Sequence, residues 1–321
     1  MSENEYTISQ VSKITGVSTS AINYYVRLNI IEPPKKTAKT RSSFSNLHIE
    51  KINEIKKLQN NGFPLKLIKK KLNVLRFSKL KSKEAINIFF ELNVDLLVMA
   101  YVTDIVPLEI IKNPSKGTIQ YHPSLLPAHR GPSSINWAVI NGDKKTGITI
   151  FWPDEGLDTG PILLQEEVEI SNHDTTGSLY FDKLFPVGVD SMIKSIKLVL
   201  KNKAPKIKQN EKNATYESWC SAQEINWNKP PSQIYNIIRG CDPQPGAWTN
   251  IDSEKVFLYD CKISDSNNKI NKKFIIKNKE ISIGLNDKKI ILGRVKPVGG
   301  VKVNAYEWFM SKNLTTNTKL G

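Results

Sequence analysis

Two titratable side chains sit in stretches built to hold them still: His122 in "HPSLLPAHRG" and Asp158 in "GLDTGPILL". An imidazole titrates near neutrality, so it can take or give a proton, and a nearby carboxylate can orient it or relay that proton through water. His122 closes the apolar run "GTIQYH", which reads as a strand, and ligands of open α/β sheets bind at the carboxyl ends of strands. Pro123 and Pro127 stiffen the turn that follows. Asp158 stands between Gly156 and Gly160, in a loop whose backbone can approach a ligand closely. One predicted helix and one predicted strand separate it from His122, a spacing that lets neighbouring strand ends bring the two side chains together. Each alone also fits a plainer role, His122 as a satisfied core histidine and Asp154, Glu155 and Asp158 as solvated turn residues. His129 and Arg130 flank the turn, suited either to an anionic substrate or to a salt bridge within the chain.

The elements that must position this pair alternate. "NVLRF" reads as a short strand, "KEAINIFFELN" as an amphipathic helix, and "DLLVMAYV" as the continuous apolar run of a parallel strand buried on both faces. "PSSINWAVINGD" is a predicted helix, and "TGITIFW" and "GPILLQEEVEI" are predicted strands either side of the acidic loop. "TTGSLYFDKLFPVGVDSMIKSIKLVLKN" is a long predicted helix interrupted at Pro186. Residues 203–224, rich in lysine and asparagine without periodicity, are expected to be a linker. After it come a helix at "PSQIYNIIRG" and strand-like pieces spaced as in a small β-barrel.

Ahead of all this, residues 1–72 read as short helices. Thr7 and Ser18 are predicted N-caps and Gly16 a helix stop, with apolar residues at helical spacing from Ile8 to Leu28. "LHIEKINEIKKLQNNGFPLKLIKKKL" predicts two further helices broken near Gly62 and Pro64. "YTISQVSKITGVSTSAINYYVRLNIIEPP" resembles the DNA-binding domain of MerR-type regulators. That resemblance implies a winged helix-turn-helix in which Ser18, Thr19, Ser20 and Asn23 meet nucleic acid, with Lys35, Lys36, Lys39 and Arg41 gripping phosphate from the wing.

From about residue 73 to about residue 312 the segments "DLLVMA", "HPSLLPAHRG", "INWAVINGD", "GLDTGPILL" and "INWNKPPSQIYNIIRGCDPQPGAW" resemble the folate-dependent formyltransferase family, whose members include methionyl-tRNA formyltransferase and the hydrolase domain of 10-formyltetrahydrofolate dehydrogenase. The resemblance implies a multidomain chain: the helix-turn-helix at 1–72, a Rossmann-like α/β catalytic domain at 73–202 lacking the family's first strands, the linker at 203–224, and a C-terminal OB-like barrel at 225–321. It implies 10-formyltetrahydrofolate as formyl donor, no metal, and His122 and Asp158 as the catalytic pair. Gln120 stands where many members carry an oxyanion-supporting asparagine. Met99, Ala100 and Tyr101 are expected to wall the pterin pocket, and Ser124, Leu125, Leu126, Pro127 and Arg130 to face folate or substrate.

The formal net charge of +15 suits a polyanionic partner, tRNA or DNA. The family resemblance implies a methionyl-tRNA-type amine, which this charge would suit, or water as acceptor, with a DNA-binding or folate-sensing regulator carrying a degenerate transferase domain as the alternative. Cys220, Cys241 and Cys261 lack metal or redox spacing and read as reduced thiols. No apolar run approaches the length of about 18 residues needed to cross a membrane, so the chain is expected in the cytoplasm. Trp137, Trp152, Trp219, Trp227 and Trp248 are expected to pack in cores or between domains.

Overall fold

Helix α1 (Ile8–Thr15) opens on a capping box, the Thr7 side chain accepting from the Gln10 amide while Gln10 reaches back, and closes on Gly16 in the left-handed region at φ 65°. Ser18 caps α2 (Thr19–Arg27), its side chain accepting from the Ala21 amide. Both ends thus fall where the short polar residues and the glycine placed them. Strands β1 (Lys35–Ala38) and β2 (Arg41–Ser43) form an antiparallel pair, followed by α3 (Asn46–Asn60). Val11, Ile22, Tyr25, Phe44, Ile52 and Ile55 close the core between them.

The computed structural model describes residues 5–28, 30–38, 41–60, 65, 75 and 77–321. The chain divides into two units, Met1–Ser78 and Lys79–Gly321. The helix expected after Pro64 lies almost wholly outside the described residues, as does most of "NVLRF", whose described members Leu75 and Phe77 are in no strand.

In the second unit α4 (Lys83–Glu91) leads to β3 (Leu97–Met99), α5 (Leu108–Lys112), β4 (Thr118–His122), α6 (Ser134–Asn141), β5 (Lys145–Phe151) and β6 (Ile162–Glu169). The sheet order is β3-β4-β5-β6. β3, read as a parallel strand, does run parallel to β4; β4 with β5 and β5 with β6 are antiparallel. β3 is also shorter than its apolar run and only Met99 of it is buried. Ile119 on β4 and Ile148 and Ile150 on β5 are wholly buried on the sheet's inner face, and each contributes about 1.5–3 kcal/mol by leaving water.

α7 (Phe185–Leu200) covers that face with Gly188, Ser191, Met192, Ser195 and Val199. The chain enters it through a turn, Thr176–Ser178, and a π-helical segment, Leu179–Leu184. The wider turn ends ahead of Pro186, so the proline falls in the first turn of α7, where its missing N–H breaks no ladder. The interruption expected there is thus a widening.

The last part has α8 (Pro231–Gly240) packed on a five-stranded sheet, with β7 (Gln223–Glu224), β8 (Ala247–Ile251), β9 (Glu254–Tyr259), β12 (Arg294–Pro297) and β13 (Val303–Asn304) in the order β13-β12-β9-β8-β7. β10 (Lys262–Lys277) and β11 (Glu280–Leu292) form a separate long hairpin, and α9 (Ala305–Ser311) closes the chain. The expected barrel is not closed: two sheets share the core of Ile234, Ile238, Leu258, Ile283 and Phe309.

Candidate active site

His122 and Asp158 do meet. The ring Nδ1 lies 3.5 Å from Asp158 Oδ2, both side chains buried. The other nitrogen, Nε2, is 2.8 Å from the carbonyl oxygen of His129. A carbonyl only accepts, so Nε2 carries a proton and Nδ1 is the nitrogen left to exchange one. Burial lowers the His122 pKa below its ordinary 6.5, against the opposing pull of Asp158.

Asp158 owes its place to backbone geometry. It sits in the left-handed region at φ 57°, and its Oδ2 accepts from the Gly131 amide at 2.8 Å. The proline-rich turn is equally tied: Thr149 on β5 donates to the Ser124 carbonyl at 2.7 Å and accepts from the Leu126 amide at 3.1 Å. Gln165 on β6 donates to the Leu126 carbonyl at 2.7 Å and to Thr149 Oγ1 at 2.9 Å. Gly147 on β5 leaves the room that the Leu125 side chain takes; a Cβ there would lie 2.6 Å from Leu125 Cδ2.

Gln120 lies two residues before His122, hence on the same face of β4. It is half-buried, and its amide makes no hydrogen bond among the described residues. Met99 pairs with Gln120 across the parallel ladder, which sets the exposed Ala100 and Tyr101 level with the end of β4. The Tyr101 ring stands 5.8 Å from that of Tyr180. Met99 itself faces inward against Val106 and Ile110.

The other substrate-side expectations divide. Leu125 and Pro127 are half-buried, whereas Leu126 is buried and the Ser124 hydroxyl donates to the Ala128 carbonyl at 2.6 Å. Arg130 is a correction. Its guanidinium is fully buried and all five N–H groups are used: Nε and Nη2 donate to Gln209 Oε1, Nη1 and Nη2 to Glu211, and Nη1 to the Tyr216 hydroxyl. None remains for a ligand, so of the two roles open to Arg130 the salt bridge holds. Trp219 also departs from expectation, being exposed.

Those partners come from a stretch that composition marked as a linker. Ile207 pairs with Ile162 through two backbone hydrogen bonds, and Arg130 pairs with Tyr216 in a short parallel bridge. His129 lies beneath the same stretch, its Nδ1 2.7 Å from Glu217 and its Nε2 2.8 Å from Asp143. Lysine-rich composition concealed this; Ile207, Tyr216 and Trp219 were the large apolar residues in the run, too scattered to show a period.

In the first unit, Ser18 caps α2, and Thr19, Ser20 and Asn23 are exposed along it. Lys35 is exposed on β1, Lys36 and Arg41 belong to β1 and β2, and Lys39 lies outside the described residues. No group of three or more His, Cys, Asp or Glu able to hold a metal occurs among the described residues, nor any helix long and apolar enough to cross a membrane.

The family model described as Formyl transferase matches residues 32–188, and that of the formyl transferase C-terminal domain matches residues 221–313. The chain belongs to the formyl transferase family. A third model, MerR family regulatory protein, matches residues 7–42. The chain is 42% identical over 200 residues to cytosolic 10-formyltetrahydrofolate dehydrogenase of Pongo abelii, covering 60% of this chain and 22% of that protein. It is 38% identical over 203 residues to methionyl-tRNA formyltransferase of Acetivibrio thermocellus, covering 63% and 65%. The chain thus spans about a fifth of the dehydrogenases it matches. Among solved structures, HypX from Aquifex aeolicus in complex with tetrahydrofolic acid shares the fold at TM-score 0.58 and 15% identity, covering 70% of this chain and 39% of that one. An N-formyltransferase from Helicobacter canadensis does so at TM-score 0.53 and 20% identity, covering 85% and 94%.

Proposed function

We propose that this formyl transferase family member takes the formyl group from 10-formyltetrahydrofolate and delivers it to an amine or to water. The observation that carries the reading is the buried His122–Asp158 pair at the carboxyl end of β4, with the Gln120 amide, free of hydrogen bonds among the described residues, on the same face. Attack on the formyl carbon creates an oxyanion, which the Gln120 amide is suited to receive. The nucleophile must lose a proton and the departing folate nitrogen must gain one. His122 Nδ1, basic in its neutral form and beside Asp158, is suited to that traffic.

A folate donor fits what stands around the pair. Tyr101 and Tyr180 offer an aromatic wall and Ala100 an exposed backbone, level with His122. For the acceptor, the likeness to methionyl-tRNA formyltransferase and the net positive charge support an aminoacyl-tRNA amine, while the likeness to the dehydrogenases supports water. The regulator alternative is not favoured, since the residues the chemistry needs are assembled rather than scattered.

The test is consumption of 10-formyltetrahydrofolate, followed by the absorbance of released tetrahydrofolate, with and without methionyl-tRNA. Release without tRNA identifies water as acceptor, and release only with it identifies the amine. No release under either condition overturns the reading.

A further inference from the structure

We propose that Gln209 is a positioning residue that locks the two loops of the site together, making residues 207–217 an active-site strap. The inference rests on the reading of His122 and Asp158 as the proton-transfer pair. Gln209 is buried, and its amide is saturated. Nε2 donates to the carbonyl of Asp158 at 2.9 Å and to that of Gly160 at 2.7 Å; Oε1 accepts from Arg130 Nε at 3.2 Å and Nη2 at 2.8 Å. Two donors and two acceptor positions exhaust what a primary amide offers.

The connection is to the chemistry itself. Arg130 precedes Gly131, whose amide holds the Asp158 carboxylate, and follows His129, whose carbonyl holds His122. Gln209 therefore grips the chain immediately beside both anchors and also grips the backbone of Asp158. A closed ring results: Arg130, Gln209, Asp158, Gly131. The neighbours bind the strap at further points, Thr215 accepting from the His129 amide at 2.8 Å and Glu217 meeting its ring. The 3.5 Å separation of His122 and Asp158 is longer than a good hydrogen bond, so small loop movements decide whether the pair works.

Two substitutions separate positioning from bulk. Gln209→Glu keeps both acceptors toward Arg130 but removes the donors that hold Asp158 and Gly160; Gln209→Met removes all four bonds at similar volume. In the full chain, both are expected to lower kcat by ~10- to 100-fold, the scale of a 1 Å misplacement, with KM for 10-formyltetrahydrofolate within about twofold. Titration of the His122 ring by NMR is expected to move upward in both as water reaches the site. The titratable groups acting on that ring are Asp158 and His129, with Arg130 next to Gln209 and Glu211 and Tyr216 on its far side. Folded variants with parental kcat and parental His122 titration would overturn the proposal and leave Gln209 a packing residue.

The titration needs no turnover, so it still decides the matter if the parent proves inactive and the functional reading falls. A third measurement covers failure of both variants to fold. In the unmodified protein the Gln209 side-chain amide protons are expected to exchange far more slowly than those of a free amide, and exchange at the free rate would overturn the lock.

Discussion

The ring of His122 is oriented by the carbonyl oxygen of His129, seven residues further along the same turn and 2.8 Å from Nε2. The carboxylate on the other side, Asp158, is the looser contact at 3.5 Å. Orientation thus comes from backbone, which cannot titrate, rather than from the titratable partner.

Replacing His122 by alanine is expected to lower kcat by roughly 10²- to 10⁴-fold, the usual share of a general acid–base group, with little change in KM for the formyl donor. Steady-state assays of both parameters check this.

The acid limb of the kcat profile is expected to have its midpoint below pH 6.5, because burial lowers the His122 pKa. The same shift sets a stability dependence. Between the lowered folded pKa and the unfolded value of 6.5, the unfolded chain binds more protons. Stability from this group is therefore full above about pH 6.5 and is lost as pH falls toward the folded pKa. Urea midpoints from pH 5 to 8 for the parent and His122→Asn measure it, the parent's advantage over the variant shrinking as pH falls below about 6.5.

Arg130→Met is expected to destabilise the second unit by about 2–4 kcal/mol, since it leaves Gln209 Oε1 without its donors and breaks the pair with Glu211. Glu211 is mostly exposed, which keeps the loss from being larger. Urea denaturation reads the change, and thinned activity below the transition marks the strap loosening first.

Gly147→Ala is expected to cost about 1–3 kcal/mol through overpacking, because the new Cβ meets the Glu166 carbonyl and Leu125 Cδ2. Leu125 belongs to the turn that carries His122, so kcat should fall along with the melting temperature.

Local chemistry was what the sequence disclosed best. Thr7, Ser18 and Gly16 ended helices where short polar side chains and a glycine belong, and the proline and glycine loops identified His122 and Asp158. Strand direction was not legible, since side chains alternate with the same period in parallel and antiparallel ladders, and the antiparallel run of β5 and β6 left no signal of its own. Gln209 left no trace either. Its partners are backbone carbonyls and a distant guanidinium, and neither produces a pattern in the residues around it. Arg130 was visible as a charge, but whether that charge faces a ligand or the interior depends on a segment eighty positions away.

The strap also fixes what counts as one inheritable piece of this protein. A chain ending at residue 202 would still contain the sheet, His122 and Asp158, yet not Gln209, Thr215 or Glu217, which hold their loops in register. The smallest portable module is therefore longer than the sheet at its centre, and any recombination of transferase and C-terminal parts that cuts between them at residue 203 separates His122 and Asp158 from the residues that hold their loops.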